Sequence, residues 1–264
     1  MMTMLNSCPS AISIELSLSS SQHTISEHLP ELRSAVAESG FAFARASTVQ
    51  PLLEAQAALT DWADFEASWN TLELDQYMAD GGRYRRRRYA VYSIEHGAIQ
   101  RAPHAAHFQS REYNPLNGDV ERWFAPIEQS IGCSASLRAI LSFCRALFTP
   151  LQPAIKRWHI EVHQFRIEAR VGISGLPTPE GMHRDGVDYV LAMMVRRRNI
   201  RSGATAISRA DGTSLGAFTL TDPFDAALID DARVYHGVTP VTPEDDSQPA
   251  YRDVIVVTLR ALRD

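Results

Sequence analysis

After Pro153 the sequence changes in character. Short runs rich in β-branched and aromatic residues follow one another closely, and turn-forming residues such as Asp211-Gly212 and Pro240 separate them. The predicted strands are 158–167, 188–195, 204–208, 216–220, 226–230, 233–236 and 252–260. Several short strands at such close spacing are typical of a sandwich or barrel and not of alternating strand–helix units. Residues 153–264 are therefore predicted to form a jelly-roll-like core.

The first 152 residues are predicted to be mostly helical and to pack on that core. The expected elements are a helix from about Ser26 that ends at Gly40, a short strand over 41–43, a helix over 52–69, and two helices within 122–147 that break near Gly132, the second capped by Ser134. Residues 75–100 have no regular pattern, and residues 1–25 predict a loose arm or an edge strand. Because no flexible linker divides the chain, the sequence predicts one α+β domain over 1–264.

Composition excludes several classes of protein. Hydrophobic residues make up 45% of the chain and charged residues 22%, as in ordinary globular proteins. The longest apolar run, 190–195, is too short to cross a bilayer, and the N-terminus lacks the pattern of a secretory signal. Three widely spaced cysteines give no disulfide framework, which indicates a cytoplasmic protein.

The charge distribution predicts no nucleic-acid partner. The net charge is −5, and a negative protein does not attract nucleic acid as a whole. The run Arg85-Arg86-Arg87-Arg88 lies between Tyr84 and Tyr89, and in an extended segment its side chains alternate between two faces. This run is interpreted as a solvated or bridging segment.

The segment 177–190 contains the clearest metal-binding pattern. His183 and Asp185 are two residues apart, so on a strand both side chains point to the same face. His236 ends a later predicted strand, and a closed double sheet can bring it to the same place. Two imidazoles and one carboxylate form the facial ligand set of non-haem Fe(II) enzymes. For the His183–Asp185 pair alone, a surface histidine beside a turn aspartate remains the alternative.

Arg252 opens the apolar strand that continues over 254–259. A guanidinium at the start of a core strand needs a partner, because its burial alone is very costly. A carboxylate can bind it through two parallel hydrogen bonds. Asp253, a glutamate or a bound ligand can supply that carboxylate, and a plain internal ion pair is the structural alternative.

Three segments together carry a family resemblance: PEGMHRDGVDYVLAMMVRRRNI, FTLTDPFDAALIDDARVYHGVTPV and YRDVIVVTL. They resemble the 2-oxoglutarate- and Fe(II)-dependent dioxygenases, and among these the bacterial L-isoleucine 4-hydroxylases and related aliphatic amino-acid hydroxylases. The resemblance is strong over 155–262 and extends to 83–124. It implies a cupin-like double-stranded β-helix core in which His183, Asp185 and His236 hold iron. It also implies that Arg252 binds the distal carboxylate of 2-oxoglutarate. It also implies that 2-oxoglutarate and O2 are consumed, with succinate and CO2 released, while an aliphatic C–H bond of a small L-amino acid or close derivative is hydroxylated.

Residues near the substrate are predicted less directly. His159, Glu161 and His163 share one face of a predicted strand, but they span roughly 13 Å, too far for one small ion, so a polar strand face is expected. A change of phase after His163 suggests a bulge near Gln164. Such a bulge would direct Gln164 and Arg166 into the cavity. The resemblance also brings Arg88 and Tyr89 near the substrate, and packing against the sheet is the alternative for Tyr89.

Two other functions remain open from the residues. The same chemistry on another small biosynthetic intermediate is one, and a non-catalytic, cupin-like metal-binding protein is the other. Arg252 argues against the second, because a plain metal site does not need a carboxylate-binding arginine. The chain has no glycine-rich nucleotide motif and no nucleophile elbow. The expected partner is a small molecule, with no nucleic acid and no membrane involved.

Overall fold

The computed structural model describes residues 25–114, 116 and 118–263. The helices are α1 (Ile25–Ser39), α2 (Ala46–Glu54), α3 (Trp62–Ala67), α4 (Gln129–Gly132) and α5 (Ala135–Phe148), with 3-10 turns at Ser68–Thr71 and Thr149–Leu151. The first seven strands are β1 (Phe41–Ala44), β2 (Glu73–Leu74), β3 (Arg85–Glu95), β4 (Ala98–Arg101), β5 (Arg157–Ala169), β6 (Tyr189–Arg198) and β7 (Ile200–Ser202). The remaining strands are β8 (Ala204–Ser208), β9 (Ser214–Thr219), β10 (Ala226–Asp230), β11 (Tyr235–Val238), β12 (Val241–Pro243) and β13 (Ala250–Ala261).

The strands form one large antiparallel sheet and two small ones. The large sheet has eight strands in the order β1-β10-β6-β13-β5-β3-β2, with β4 paired to β3. A three-stranded sheet has the order β11-β8-β9, and β12 pairs with β7. The large and small sheets enclose a cavity between them, so the predicted double-stranded β-helix is confirmed.

The helices cover the outer face of the large sheet, and the side chains of strand β5 alternate between that face and the cavity. Trp158, Ile160 and Val162 are fully buried in the main hydrophobic core, together with apolar residues of α1, α2 and α5. His159, Glu161, His163, Phe165 and Ile167 face the cavity instead. The outer face therefore supplies the core, and the inner face is free to form a site.

Most predicted strands of the second half are present. Strand β10 occupies the predicted residues, as does β8, and the ends of β5, β6, β9, β11 and β13 differ by a few residues. The helix ends were also predicted correctly at two positions. Gly40 follows α1 with a φ of +82°, and the Ser134 side chain accepts a hydrogen bond from the Leu137 amide at the start of α5.

The first half differs from its prediction because it supplies much of the large sheet. Residues 85–95, expected to be irregular, form an eleven-residue strand inside the sheet, between β5 and β2. The predicted helix over 52–69 is divided between α2, α3 and a 3-10 turn, and residues 122–128 are not helical. The prediction for residues 1–25 falls outside the described residues, apart from Ile25 in α1. Among the described residues, no helix combines the length and apolar character needed to span a membrane.

Candidate active site

The cavity between the sheets has a volume of about 350 Å³. Strands β5, β6, β10 and β13 form its floor, and residues of β8 and β11 form its roof. The segments 107–114 and 177–187 contribute to its wall. Both metal-ligand clusters described below line it.

His183, Asp185 and His236 come together at one side of this cavity. One ligand atom from each residue lies within 4.8 Å of the others. The backbones of His183 and His236 form an isolated antiparallel bridge, with two N–H···O bonds of 2.9 Å. Nε2 of His183 lies 3.8 Å from Oδ1 of Asp185, and Nε2 of His236 lies 3.5 Å from Oδ2. The donor set is the one that suits Fe(II).

The surroundings orient these ligands toward a common point. Nδ1 of His183 is 3.0 Å from the carbonyl oxygen of Gly181, so it donates there and leaves the lone pair of Nε2 free for a metal. The Asp231 carboxylate accepts hydrogen bonds of 2.9–3.2 Å from the amides of Asp185, Gly186 and Val187. Asp231 thereby fixes the loop that carries Asp185.

The electrostatics of the triad favour an ionised Asp185. Burial acts to raise the pKa of Asp185, but the hydrogen bond from His236 and the charge of His183 outweigh it and lower that pKa. Burial acts to lower the pKa of His236, and the hydrogen bond and charge of Asp185 raise it above its ordinary value. Asp185 is therefore a carboxylate at neutral pH, as metal binding requires.

Arg252 lies in the same cavity without a protein carboxylate. Its exposed fraction is 4%, and its Nε and Nη1 atoms have no hydrogen-bond partner among the described residues. Asp253 is on the opposite face of β13, where Arg166 binds it through two hydrogen bonds of 2.7 Å. Burial and the charge of Arg197 lower the pKa of Arg252 to about 10. A dicarboxylate that chelates a metal at the triad fits this unsatisfied guanidinium.

A second cluster of metal-ligand type forms around Glu161. His107, from the segment before β5, joins Glu161 and His163, with ligand atoms within 4.8 Å of one another. Nδ1 of His107 lies 3.0 Å from Glu161, and the Tyr89 hydroxyl donates to Glu161 over 2.7 Å. Arg87 contacts Nδ1 of His163 at 2.6 Å. The guanidinium occupies Nδ1 of His163 and places a positive charge beside this cluster, which disfavours a second cation there.

Three of the predicted substrate residues do not reach the cavity. The pairing of β5 with β13 runs without interruption from Trp158 to Ala169, so the bulge predicted near Gln164 is absent. The Gln164 side chain consequently donates a hydrogen bond of 2.8 Å to Ser68, and the Arg166 side chain donates to Asp253. Both contacts lie on the helix side of the sheet. Arg88 donates to the carbonyl oxygen of Pro126 over 2.9 Å. The predicted placement of Gln164 and Arg166 in the cavity is therefore wrong, and Arg88 does not line the cavity either.

Tyr89 lies behind the cavity wall. It is fully buried and is not among the residues that line the cavity. Its hydroxyl reaches the site only through Glu161. Packing against the sheet, the alternative considered for this residue, describes its position.

Several cavity residues were not singled out in the sequence. They are Arg87, His107, Gln109, Arg122 and Glu180. The Gln109 side chain donates hydrogen bonds of 3.2 Å to the carbonyl oxygen and to Oδ1 of Asp185. Nη2 of Arg122 donates a hydrogen bond of 3.0 Å to Gln109. Most of these residues belong to loops, where no periodic pattern indicates which way a side chain points.

Comparison with known proteins agrees with this geometry. A 3(1)-hydroxy-L-isoleucine 4-dioxygenase of Pantoea ananatis is 24% identical over 206 residues, which cover 76% of this chain and 82% of the relative. An L-isoleucine-4-hydroxylase of Bacillus thuringiensis is 28% identical over 155 residues, which cover 58% of this chain and 64% of the relative. The crystal structure of a bsmA homolog from Methylobium petroleophilum is similar with a TM-score of 0.81 and 34% identity, covering 88% of this chain and 93% of that one.

The family model described as 2OG-Fe dioxygenase matches residues 66–258, most of the chain. The matched region includes the triad around His183 and the unpartnered Arg252. Fe(II), 2-oxoglutarate and O2 are the cofactor and cosubstrates of this family. The chain therefore belongs to the 2OG-Fe dioxygenase family and is an oxidoreductase.

Proposed function

We propose that this enzyme hydroxylates an aliphatic C–H bond of a small L-amino acid or close derivative, with 2-oxoglutarate converted to succinate and CO2. One observation carries the proposal: a triad of two imidazoles and a carboxylate shares a cavity with a buried guanidinium that lacks a carboxylate partner. 2-Oxoglutarate has a 2-oxo acid that chelates a metal and a distal carboxylate that binds arginine.

The proposed ligands of Fe(II) are His183, Asp185 and His236, and the proposed partner of the distal carboxylate is Arg252. Arg252 suits this role because its planar guanidinium can form two parallel hydrogen bonds to a carboxylate. When bound, iron and 2-oxoglutarate supply, with O2, the oxidising power that protein side chains lack. The chain's own contribution is to bind, orient and desolvate.

The cavity wall suits an aliphatic substrate. Val190, Val254 and Val256 line it from the large sheet, and Ile229 and Leu220 add further apolar surface. These side chains exclude water from the reacting carbon and favour an alkyl chain over a polar one. The two relatives are a 3(1)-hydroxy-L-isoleucine 4-dioxygenase and an L-isoleucine-4-hydroxylase, and the proposal takes its substrate class from them.

We also propose that the enzyme works in the cytoplasm. Cys133 and Cys144 are free thiols, with Cys133 exposed and Cys144 buried. An exposed free thiol is stable in a reducing compartment.

The test is an aerobic reaction of the purified protein with Fe(II), 2-oxoglutarate and ascorbate. Isoleucine, leucine, valine, methionine and their N-acyl forms are supplied one at a time, and succinate release and product mass are measured. We expect at least one amino acid to give succinate and a product heavier by one oxygen atom. If none is oxidised while 2-oxoglutarate is still consumed slowly, the amino-acid proposal fails and another small intermediate becomes the substrate. If Arg252→Lys binds 2-oxoglutarate normally, the role of Arg252 is refuted.

A further inference from the structure

We infer that Arg122 binds the carboxylate of the substrate and that Glu180 binds its ammonium group, so that the enzyme selects a zwitterionic α-amino acid. The inference rests on the proposed function and adds the two residues that recognise the substrate. It starts from two buried, oppositely charged side chains in the cavity, each with an unsatisfied polar atom.

Arg122 is a buried cation without an ion-pair partner. Its exposed fraction is 2%, and its Nε atom has no hydrogen-bond partner in the described part of the chain. Within the described residues, its one side-chain hydrogen bond is donated to the neutral amide of Gln109. Arg85, by contrast, is 2.7 Å from the carboxylate of Asp75. A guanidinium buried without a carboxylate is costly, and a ligand carboxylate removes that cost.

Arg122 is also distinct from the arginine proposed for 2-oxoglutarate. Arg252 belongs to strand β13, whereas Arg122 belongs to the segment that precedes α4. Gln109 joins Arg122 to Asp185, because its side chain accepts from Arg122 and donates to Asp185. Arg122 therefore lies two hydrogen bonds from Asp185, a proposed iron ligand, and a carboxylate bound at Arg122 lies three hydrogen bonds from it. This position brings the rest of a small substrate close to the triad.

Glu180 supplies the opposite charge. Its Oε1 atom lies 3.4 Å from Nε2 of His183, and its Oε2 atom is buried without a hydrogen-bond partner. Glu180 and Arg122 line the same cavity but form no ion pair with each other within the described residues. The charge of Glu180 nevertheless acts on Arg122 and partly offsets the lowering of its pKa by burial. Glu180 and Arg122 thus place opposite charges in one cavity without an ion pair between them, as recognition of a zwitterion requires.

Glu161 is a weaker candidate for the ammonium group. Its two oxygen atoms already contact the hydroxyl of Tyr89 and the imidazole of His107 at 2.7 Å and 3.0 Å. A carboxylate that receives hydrogen bonds on both oxygens gains less from a further donor. The unsatisfied oxygen of Glu180 is the better site.

The experiment measures binding to enzyme loaded with Fe(II) and 2-oxoglutarate in the absence of O2. Isothermal titration gives the Kd of L-isoleucine, of L-isoleucinamide, which lacks the carboxylate, and of N-acetyl-L-isoleucine, which lacks the ammonium group. L-leucine and its two derivatives are titrated in parallel. We expect the unmodified enzyme to bind each free amino acid at least about tenfold more tightly than either derivative, a difference of about 1.4 kcal/mol.

The variants assign each charge to its residue. Arg122→Gln should raise the Kd of the free amino acid at least tenfold and change the Kd of the amide by no more than about twofold. Glu180→Gln should also raise the Kd of the free amino acid at least tenfold, and it should change the Kd of the N-acetyl form by no more than about twofold. Arg122→Lys keeps the charge but loses the planar guanidinium. The Kd of this variant for the free amino acid should lie between the values for Arg122→Gln and for the unmodified enzyme. Arg111→Gln and Glu121→Gln are the controls, because both residues are exposed on the same segment as Arg122.

Thermal unfolding and the Kd of 2-oxoglutarate are measured for every variant. An unchanged Kd for 2-oxoglutarate in Arg122→Gln would separate substrate recognition from cosubstrate binding. The inference is overturned if the unmodified enzyme does not distinguish the free amino acid from its derivatives, a comparison that needs no variant. It is also overturned if a folded Arg122→Gln or Glu180→Gln variant discriminates as the unmodified enzyme does.

The two proposals can fail separately. If the protein consumes 2-oxoglutarate but binds no free amino acid, the inference about Arg122 and Glu180 fails and the dioxygenase chemistry stands. If amino acids bind with the expected charge preference but no succinate forms with any of them, the proposed hydroxylation fails.

Discussion

Replacement of Arg252 by methionine should make the ligand-free protein more stable and abolish its stabilisation by 2-oxoglutarate. Arg252 is buried and two of its guanidinium nitrogens are unsatisfied. An apolar side chain of similar length removes the charge and keeps most of the packing. Replacing buried charges by apolar groups of similar volume is often stabilising.

The size of the effect follows from the lowered pKa of Arg252, about 10. At about 1.4 kcal/mol for each tenfold change in proton affinity, this depression corresponds to about 3 kcal/mol against the charged form in the folded state. Because the folded-state pKa lies below the unfolded-state pKa, the cost is fully present at neutral pH and falls only as the pH rises above about 10. In a protein of this size, 3 kcal/mol raises Tm by on the order of 6 °C.

Differential scanning calorimetry at pH 7.5 is the assay, with Fe(II) present, O2 excluded, and 2-oxoglutarate either absent or at about 100 times its Kd. At that concentration the ligand should stabilise the unmodified protein by about 2.7 kcal/mol. Arg198→Met is the control, because Arg198 is exposed at the end of the neighbouring strand β6 and does not line the cavity. A lower Tm for ligand-free Arg252→Met than for the unmodified protein would refute the reasoning, as would an undiminished response of the variant to 2-oxoglutarate.

Three further predictions concern the metal ligands and the fold. His183→Ala and His236→Ala should each remove most iron binding and all coupled succinate release, and unchanged iron content in both would refute the proposed ligands. Asp231→Asn should weaken iron binding about 10- to 100-fold, because Asp231 fixes the Asp185 loop through three amide hydrogen bonds. Metal titration in competition with a chelator measures the iron affinity, and an unchanged affinity would speak against this role. Ser134→Ala should lower the free energy of unfolding by about 1 kcal/mol, because the α5 N-cap is lost. Urea unfolding measures this change, and activity should be unchanged. Equal stability of the variant and the unmodified protein would mean that the cap contributes nothing.

The sequence indicates the second half of the fold well because its strands alternate between a core face and a cavity face. Strand β10 was predicted to the residue, and the triad could be anticipated because His183 and Asp185 flank a single residue. Strand β3 was hidden by four consecutive arginines. In the structure two of them become buried because Asp75 lies 2.7 Å from Arg85 and 3.7 Å from Arg87. No local pattern predicts such a distant partner.

The substrate side of the site was the least predictable part. The bulge predicted near Gln164 in strand β5 depends on Phe165 and Ile167, because apolar side chains at these odd positions suggest a change of phase. The strand keeps its register, and both residues face the cavity because part of the cavity wall is itself apolar. Arg122 and Glu180 lie in loops whose positions depend on packing between distant segments, so their convergence could be found only in three dimensions.

The backbone bridge between His183 and His236 has a consequence for local unfolding. The two N–H···O bonds tie the loop before β6 to β11 in the small sheet, so the distance between the two imidazoles is fixed by main-chain atoms. A metal that binds both rings adds a second link between two segments that the backbone bridge already joins, so it should make their local opening less favourable. Loading with Fe(II) should therefore slow amide hydrogen exchange at positions 183 and 236 together, while strands at the far edge of the large sheet exchange as before. Metal binding should therefore be coupled to the local unfolding of the small sheet around positions 183 and 236.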